Sequence, residues 1–395
     1  MAKDSSSSDS AKIPLWRHPG TRSVVFQVGL VLALLAFGEF LLSNTLQNME
    51  QRGITTGFGF LDNAAGFGIL QTLIPYDETY TYGRTFLVGL LNTLLVAALG
   101  IFFATVLGFF VGIARLSPNW LVARLASIFI ETFRNIPLLL QIMFWYFAVL
   151  RPLPSPRQAL SIGESFFLTN RGLFIPQPLA DEGFWVVAVA FIVAIVGAWF
   201  LVRWAQRRQL KTGQPFPTGL AATGLILGLP LIVFALMGAP LHWEYPVLGG
   251  FNFSGGMEVL PELAALVLAL SIYTAAFIAE AVRSGIQSVS HGQTEAASAL
   301  GLRPGVTMKL VVIPQAMRVI IPQLTSQYLN LTKNSSLATA IGYPDLVNVF
   351  AGTTLNQTGQ AVEVIAMTMG VYLLISLLIS LFMNWYNNRK QLVER

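Results

Sequence analysis

Cysteine is absent from the 395 residues, which excludes a disulfide framework and a thiolate metal site. Histidine is scarce: His18, His242 and His291 stand too far apart to suggest a metal cluster, and no metal site is expected. No G-x-x-x-x-G-K-[ST] run occurs, and Lys211-Thr212 lacks the preceding glycines, so the chain builds no phosphate-cradling loop of its own. A nucleophile elbow and an H-E-x-x-H pair are missing as well, and no catalytic residue is assigned. Charge is scarce, with 11% charged residues against 54% hydrophobic. Ordinary soluble domains carry about 25% charged residues, so this balance points to a polytopic membrane protein in contact with lipid. The basic run from Arg203 to Lys211 is short and lies between apolar segments; it reads as an orientation signal and not as a nucleic-acid site.

What is present is a series of long apolar runs. A bilayer core of about 30 Å needs roughly 20 apolar residues in a helix. Eight segments qualify, near 24–43, 86–114, 125–149, 184–202, 218–238, 259–280, 320–341 and 362–384. The expected fold is therefore all-α, with about eight transmembrane helices. The first run is too long for a signal peptide and shows no small-x-small cleavage site, so it reads as an uncleaved anchor behind a disordered tail with Ser5 to Ser8. The seventh is interrupted by Gln323, Gln327, Asn330 and Lys333, which would be costly against lipid, so that helix is expected inside the bundle.

Eight spans put both termini on one side. That side holds seventeen of the Lys and Arg residues: Lys3, Lys12, Arg17, Arg22, Arg115, Arg124, Arg203, Arg207, Arg208, Lys211, Arg283, Arg303, Lys309, Arg318, Arg389, Lys390 and Arg395. The other side holds five, Arg52, Arg84, Arg151, Arg157 and Arg171. By the positive-inside rule both termini are cytoplasmic, and so is the polar loop between the sixth and seventh spans.

That loop carries Glu295-Ala296-Ala297-Ser298-Ala299-Leu300-Gly301, and later Val311-Val312-Ile313-Pro314. Ser290 and Gln293 have capping-box spacing and predict a helix start. Ala296, Ala297 and Ala299 give the helix a small-residue surface that another protein can approach closely. Gly301 can end it in a left-handed turn, Pro304 suits the first turn of a second helix, and Pro314 is expected to bend or end that one. Glu295 is free to pair with a basic residue on a partner or to tie the loop together. A plain connector rich in helix formers is the competing reading.

The spacing resembles the EAA loop of ABC-importer permeases, written EAA, three residues, G, nine residues, I-x-L-P, with Val311 and Ile313 standing for I and L. Further runs are similar to the polar-amino-acid (histidine/glutamine/glutamate-type) branch of that family. They are Glu131-Thr132-Phe133-Arg134-Asn135-Ile136-Pro137-Leu138-Leu139, Ala275 through Gln287, and Lys333-Asn334-Ser335-Ser336-Leu337. Ser284 departs from the family's paired glycines. The enlarged layout, with Arg52-Gly53-Ile54 and Gly57-Phe58-Gly59-Phe60-Leu61, resembles a membrane subunit of the general L-amino-acid importers.

The resemblance implies a type I importer core of five helices plus extra helices. The divisions are a cytoplasmic tail 1–23; an extra helix and external loop 24–84; core 85–150; an insertion with two extra helices 151–258; core 259–384 with the coupling loop 285–318; and a tail 385–395. It implies ATPase coupling through Glu295, Ala296, Ala297, Ala299, Gly301 and Pro314. It also implies a bacterial inner membrane, a dimer of cytoplasmic ABC ATPases carrying ATP and Mg, a second related permease or a second copy, and a periplasmic amino-acid-binding protein. No cofactor is implied for this chain.

Several polar residues fall inside apolar runs. Arg134 lies about ten residues into the third span, where a central charge costs on the order of 2.5–3.5 kcal/mol. Glu131 is one turn away and can pair with it at i, i+3, either fixing helix packing or serving a gate or solute path. Lys333, Asn334, Ser335 and Ser336 can line a path for a zwitterionic solute, the ammonium attracting its carboxylate, or can satisfy backbone groups where the seventh span breaks. Glu280 and Arg283 are expected to pair structurally. Phe144, Trp145, Tyr146 and Phe147 read as packing or interfacial aromatics, and Trp185, Trp199, Trp204 and Trp385 as interfacial anchors. An ion-coupled secondary transporter is the alternative class, although no clear internal repeat is found and acids well inside the spans are few. A scaffold or receptor is a third.

Overall fold

The computed structural model describes residues 19–51 and 56–390. The serine tail, the tail cations Lys3, Lys12 and Arg17, the Arg52-Gly53-Ile54 run and Arg395 lie outside them. Among the described residues, seven helices are long and apolar enough to cross a membrane, and eight if one bent pair counts as a single span.

The first is α1 (Pro19–Gln51), followed by an outer loop with a 3-10 turn at Phe58–Asp62. Thr81 caps α2 (Tyr82–Arg115) by accepting from the Arg84 amide. Along α2 the buried residues Val96, Gly100, Ala104, Gly108 and Gly112 step by four, forming a narrow ridge. It packs against α7 (Pro261–Gln287), the most deeply buried of the spans. At Gly108 a methyl group would stand 2.6 Å from Ile278, so only glycine permits this approach of the two backbones. α10 (Ile313–Asn334) packs on α7 and also touches α2; after the short α11 (Leu355–Thr358) comes α12 (Ala361–Lys390), which packs on α10. Leu266, Leu270, Ile278, Ile321 and Leu331 are almost fully buried in the centre.

The third span departs from the expectation of one straight helix over 125–149. α3 (Trp120–Asn135) and α4 (Leu138–Met143), the latter prolonged by a π turn over Phe144–Leu150, meet at 105°. Pro137 has no amide to donate and forces Ile136 into extended backbone, so the helix cannot run through. The Gln141 side-chain amide donates to the Phe133 and Ile136 carbonyls at 3.0 and 2.9 Å, satisfying acceptors that the break leaves over.

Residues 151–258 hold α5 (Phe184–Thr212) and α6 (Thr218–Leu236), which pack on each other; α6 has no buried residue. Around their outer ends are eight short strands that sequence reading did not name. β1 (Leu160–Ile162), β2 (Phe166–Thr169), β3 (Gly172–Ile175) and β8 (Met257–Val259) form an antiparallel sheet in that order. β4 (Gln177–Ala180) pairs with β5 (Leu241–Glu244), and β6 (Val247–Gly249) with β7 (Asn252–Ser254). Strands of three or four residues are too short to show the alternation that reveals a strand.

The outer loop is tied down by polar contacts. Arg84 donates twice to the Pro75 carbonyl at 3.1 and 2.9 Å, and the Gly57 amide donates to Glu363 Oε1 at 2.6 Å. Asn92 Nδ2 donates to the carbonyls of Gln71 and Pro344, both at 2.8 Å. These bonds tie the loop to α2 and to Glu363 of α12, and Asn92 also links it to the segment that follows α10.

Candidate functional site

Two clusters of the sequence-selected residues take shape. The first is the polar loop between α7 and α10, where α8 (His291–Ala299) starts at Ser290 without a side-chain cap. The expected capping box does not form, because Gln293 Oε1 accepts from Gln315 Nε2 at 3.2 Å and so faces α10. The end of α8 follows the expectation. Gly301 takes φ +73, its amide donates to the Ser298 carbonyl at 2.9 Å, and the Leu302 amide donates to Ala297 at 3.1 Å. That pair of bonds is a Schellman closure, and it fixes where the helix stops.

α9 (Pro304–Thr307) opens with Pro304 in its first turn. Pro314 does not end the second helix of the loop: the chain widens from α9 into a π turn at Met308–Val312 and enters α10. A π turn relaxes the crowding between a proline ring and the preceding turn, so the helical path continues.

On α8, Ala297 is buried against the chain, while Glu295, Ala296 and Ala299 are exposed. Glu295 Oε1 lies 2.9 Å from His291 Nδ1 one turn earlier. Leu300, which sequence reading passed over, is 80% exposed beside them. The surface is thus two small residues and a leucine next to a carboxylate.

The second cluster lies where α10 changes into a 3-10 turn at Ser335–Ile341. Ser335 Oγ donates to the Thr332 carbonyl and Ser336 Oγ to the Lys333 carbonyl, each at 2.8 Å, so both hydroxyls serve backbone groups at the change of helix type. Ser335 is fully buried and Asn334 half-buried. Lys333 and Ser336 line a cleft of ≈ 490 Å³ with Val347, Thr368, Tyr372 and Ser376. No carboxylate pairs with Lys333 among the described residues.

Behind this cleft stands Asp345, which sequence reading missed for want of any motif around it. It is fully buried and accepts from the Asn348 amide at 2.9 Å and from the Tyr372 hydroxyl at 3.3 Å. Burial pushes its carboxyl up to about 7, while the amides of Asn348 and Val347 pull the other way.

Arg134 belongs to neither cluster. No ion pair joins it to Glu131 among the described residues; its guanidinium lies over the Phe277 ring at 5.1 Å, in the last turn of α3. The break at Pro137 removes the cause of the expected pairing, because Arg134 ends a helix instead of standing in mid-span. Glu280 and Arg283 do pair, with Nε 3.1 Å from Oε2.

Comparison with known proteins identifies the family. A family model described as binding-protein-dependent transport system inner membrane component matches residues 220–391, which include both clusters. The chain is 61% identical over 378 residues to the permease protein YhdX of Escherichia coli (strain K12), covering 96% of each. It is 53% identical over 377 residues to the general L-amino acid transport system permease protein AapQ of Rhizobium johnstonii, covering 95% of this chain and 94% of that one. It is also 45% identical over 408 residues to the glutamate/glutamine/aspartate/asparagine transport system permease protein BztB of Rhodobacter capsulatus, covering 95% of each.

Proposed function

Because the chain belongs to the family of binding-protein-dependent transport system inner membrane components, we propose that it is a subunit through which L-amino acids enter the cytoplasm. The work comes from ATP hydrolysed on a separate subunit. The observation that carries this reading is α8, a rigidly ended helix with the EAA spacing, on the face that the cation count assigns to the cytoplasm. Its exposed Glu295, Ala296, Ala299 and Leu300 fit a cleft on an ABC ATPase; Ala297, Gly301 and Pro314 shape the loop from behind. The amino-acid substrate class rests on the names of AapQ and BztB.

The assembly has two cytoplasmic ATPases binding ATP and Mg, a second related permease and an extracytoplasmic amino-acid-binding protein, in a bacterial inner membrane. ATP binding must favour one arrangement of the permease pair over the other, since a ligand shifts a conformational equilibrium only by its differential affinity. Lys333 and Ser336 are the residues of this chain that would meet the solute, the ammonium drawing its carboxylate. Arg134, Asn334 and Ser335 position their surroundings.

The test is a mild-detergent pull-down of the chain from its native membrane, with companions identified by mass spectrometry. A P-loop ATPase and a related permease are expected. Recovery of the chain alone, still moving solute into proteoliposomes without ATP, would favour an ion-coupled transporter instead.

A further inference from the structure

The α5–α6 hairpin carries a feature that solute transport does not use. Between Glu182 and Glu244 there is no acidic residue, yet Arg203, Arg207, Arg208 and Lys211 crowd the end of α5. No carboxylate pairs with any of the four among the described residues. α5 has 29 residues, so at 1.5 Å per residue it outruns a hydrocarbon core of about 30 Å. Counted from Phe184, about twenty residues bring the helix to Arg203. The other three cations then fall within roughly 12 Å beyond it, at headgroup depth.

Arg203, Arg207 and Lys211 step by four along one face. Arg203 lies over the Trp199 ring at 3.8 Å, and Arg208 lies over both Trp204, at 5.6 Å, and Phe216, at 5.9 Å. Trp204 meets Phe216 edge-on at 5.4 Å, which staples the turn between the helices beneath the guanidinium. Arg389 over Trp385, at 5.2 Å, repeats the stacking at the end of α12 and marks the same interface. Leu220, two residues into α6, is 81% exposed and free to meet acyl chains.

We propose that the cytoplasmic turn of this hairpin binds anionic phospholipid, its cations holding the headgroup phosphates while the indoles of Trp199 and Trp204 lie at the boundary with the acyl chains. Charge complementarity selects this occupant: four cations without a counter-charge, at headgroup depth, face a surface whose fixed charges are phosphates. Stacked guanidiniums are held ready for phosphate and lose less freedom on binding.

The test is native mass spectrometry of the purified full chain in micelles doped with equal phosphatidylglycerol and phosphatidylcholine. The wild type is expected to retain phosphatidylglycerol preferentially. Arg207→Gln with Lys211→Gln keeps two cations for insertion and should lower the preference by about fivefold per charge removed. Arg203→Gln and Arg208→Gln added to these should abolish it. Labelling of Gly213→Cys from the cytoplasmic side, in a chain with no other cysteine, confirms that each variant is inserted. An inserted quadruple variant with undiminished preference overturns the proposal. So does a wild type that retains the two lipids equally.

Discussion

Replacing Gly108 by alanine tests the seam on which the fold rests. The added methyl would lie 2.6 Å from Ile278 and 3.0 Å from the Ala275 carbonyl, where carbon atoms ordinarily sit 3.5–4.0 Å apart. α2 and α7 must therefore part by about 1 Å, or Ile278, which is fully buried, must leave its rotamer. Overpacking of this kind costs about 1–3 kcal/mol. Alanine also gains about 1 kcal/mol over glycine from helix propensity, which would blur a single measurement. Gly228 in α6 supplies the control, since a methyl there meets nothing within 4 Å and the helix gain is the same. Gly108→Ala should thus be less stable than Gly228→Ala by about 1–3 kcal/mol. Unfolding by sodium dodecyl sulfate in mixed micelles, followed by circular dichroism, measures the difference. Equal stability of the two variants, or a more stable Gly108→Ala, would refute the tight α2–α7 contact.

Three further outcomes are expected. Gln141→Leu leaves the Phe133 and Ile136 carbonyls at the broken span without their donor, and should cost about 1–3 kcal/mol in the same assay. Asp345 binds its proton more tightly when folded than unfolded, so its ionisation lowers stability as the pH rises from the ordinary carboxylate range through about 7. Asp345→Asn, which keeps an acceptor for the Asn348 amide, should narrow the stability gap between pH 5 and pH 8; an unchanged gap counts against the burial argument. Lys333→Met should reduce uptake by the reconstituted assembly at least tenfold while basal ATP hydrolysis persists, and undiminished uptake removes Lys333 from the solute path.

The membrane plan was legible because lipid imposes a long, simple pattern: each of the eight apolar runs corresponds to a span or to the bent pair. Gly301 and Pro304 were legible for a different reason, since positive φ and a first-turn proline each have one strong residue preference. Three features were not. Pro137 was counted within an apolar run, and hydropathy is blind to a missing amide. The strands are only three or four residues long, and two of their pairings, β3 with β8 and β4 with β5, span the whole α5–α6 hairpin. Asp345 acquires its setting from α2, α12 and its own turn together, and no local motif reports such an assembly. Of the candidate site, the end of α8 at Gly301 and the start of α9 at Pro304 were thus readable in advance. The cleft was readable only in part, because the sequence supplies Lys333 and Ser336 but not the α12 wall of Thr368, Tyr372 and Ser376.

The central claim is that α8 is the docking element for an ATPase. With no cysteine in the native chain, Ala299→Cys introduces a single thiol on the exposed face of α8, and Gly213→Cys one on the turn between α5 and α6. Each is expressed with its native companions in membranes and treated with a short bifunctional crosslinker. The account predicts a crosslink from position 299 to a P-loop ATPase, its yield changing with ATP, and none from position 213. A crosslink from position 213 with none from 299 would contradict it.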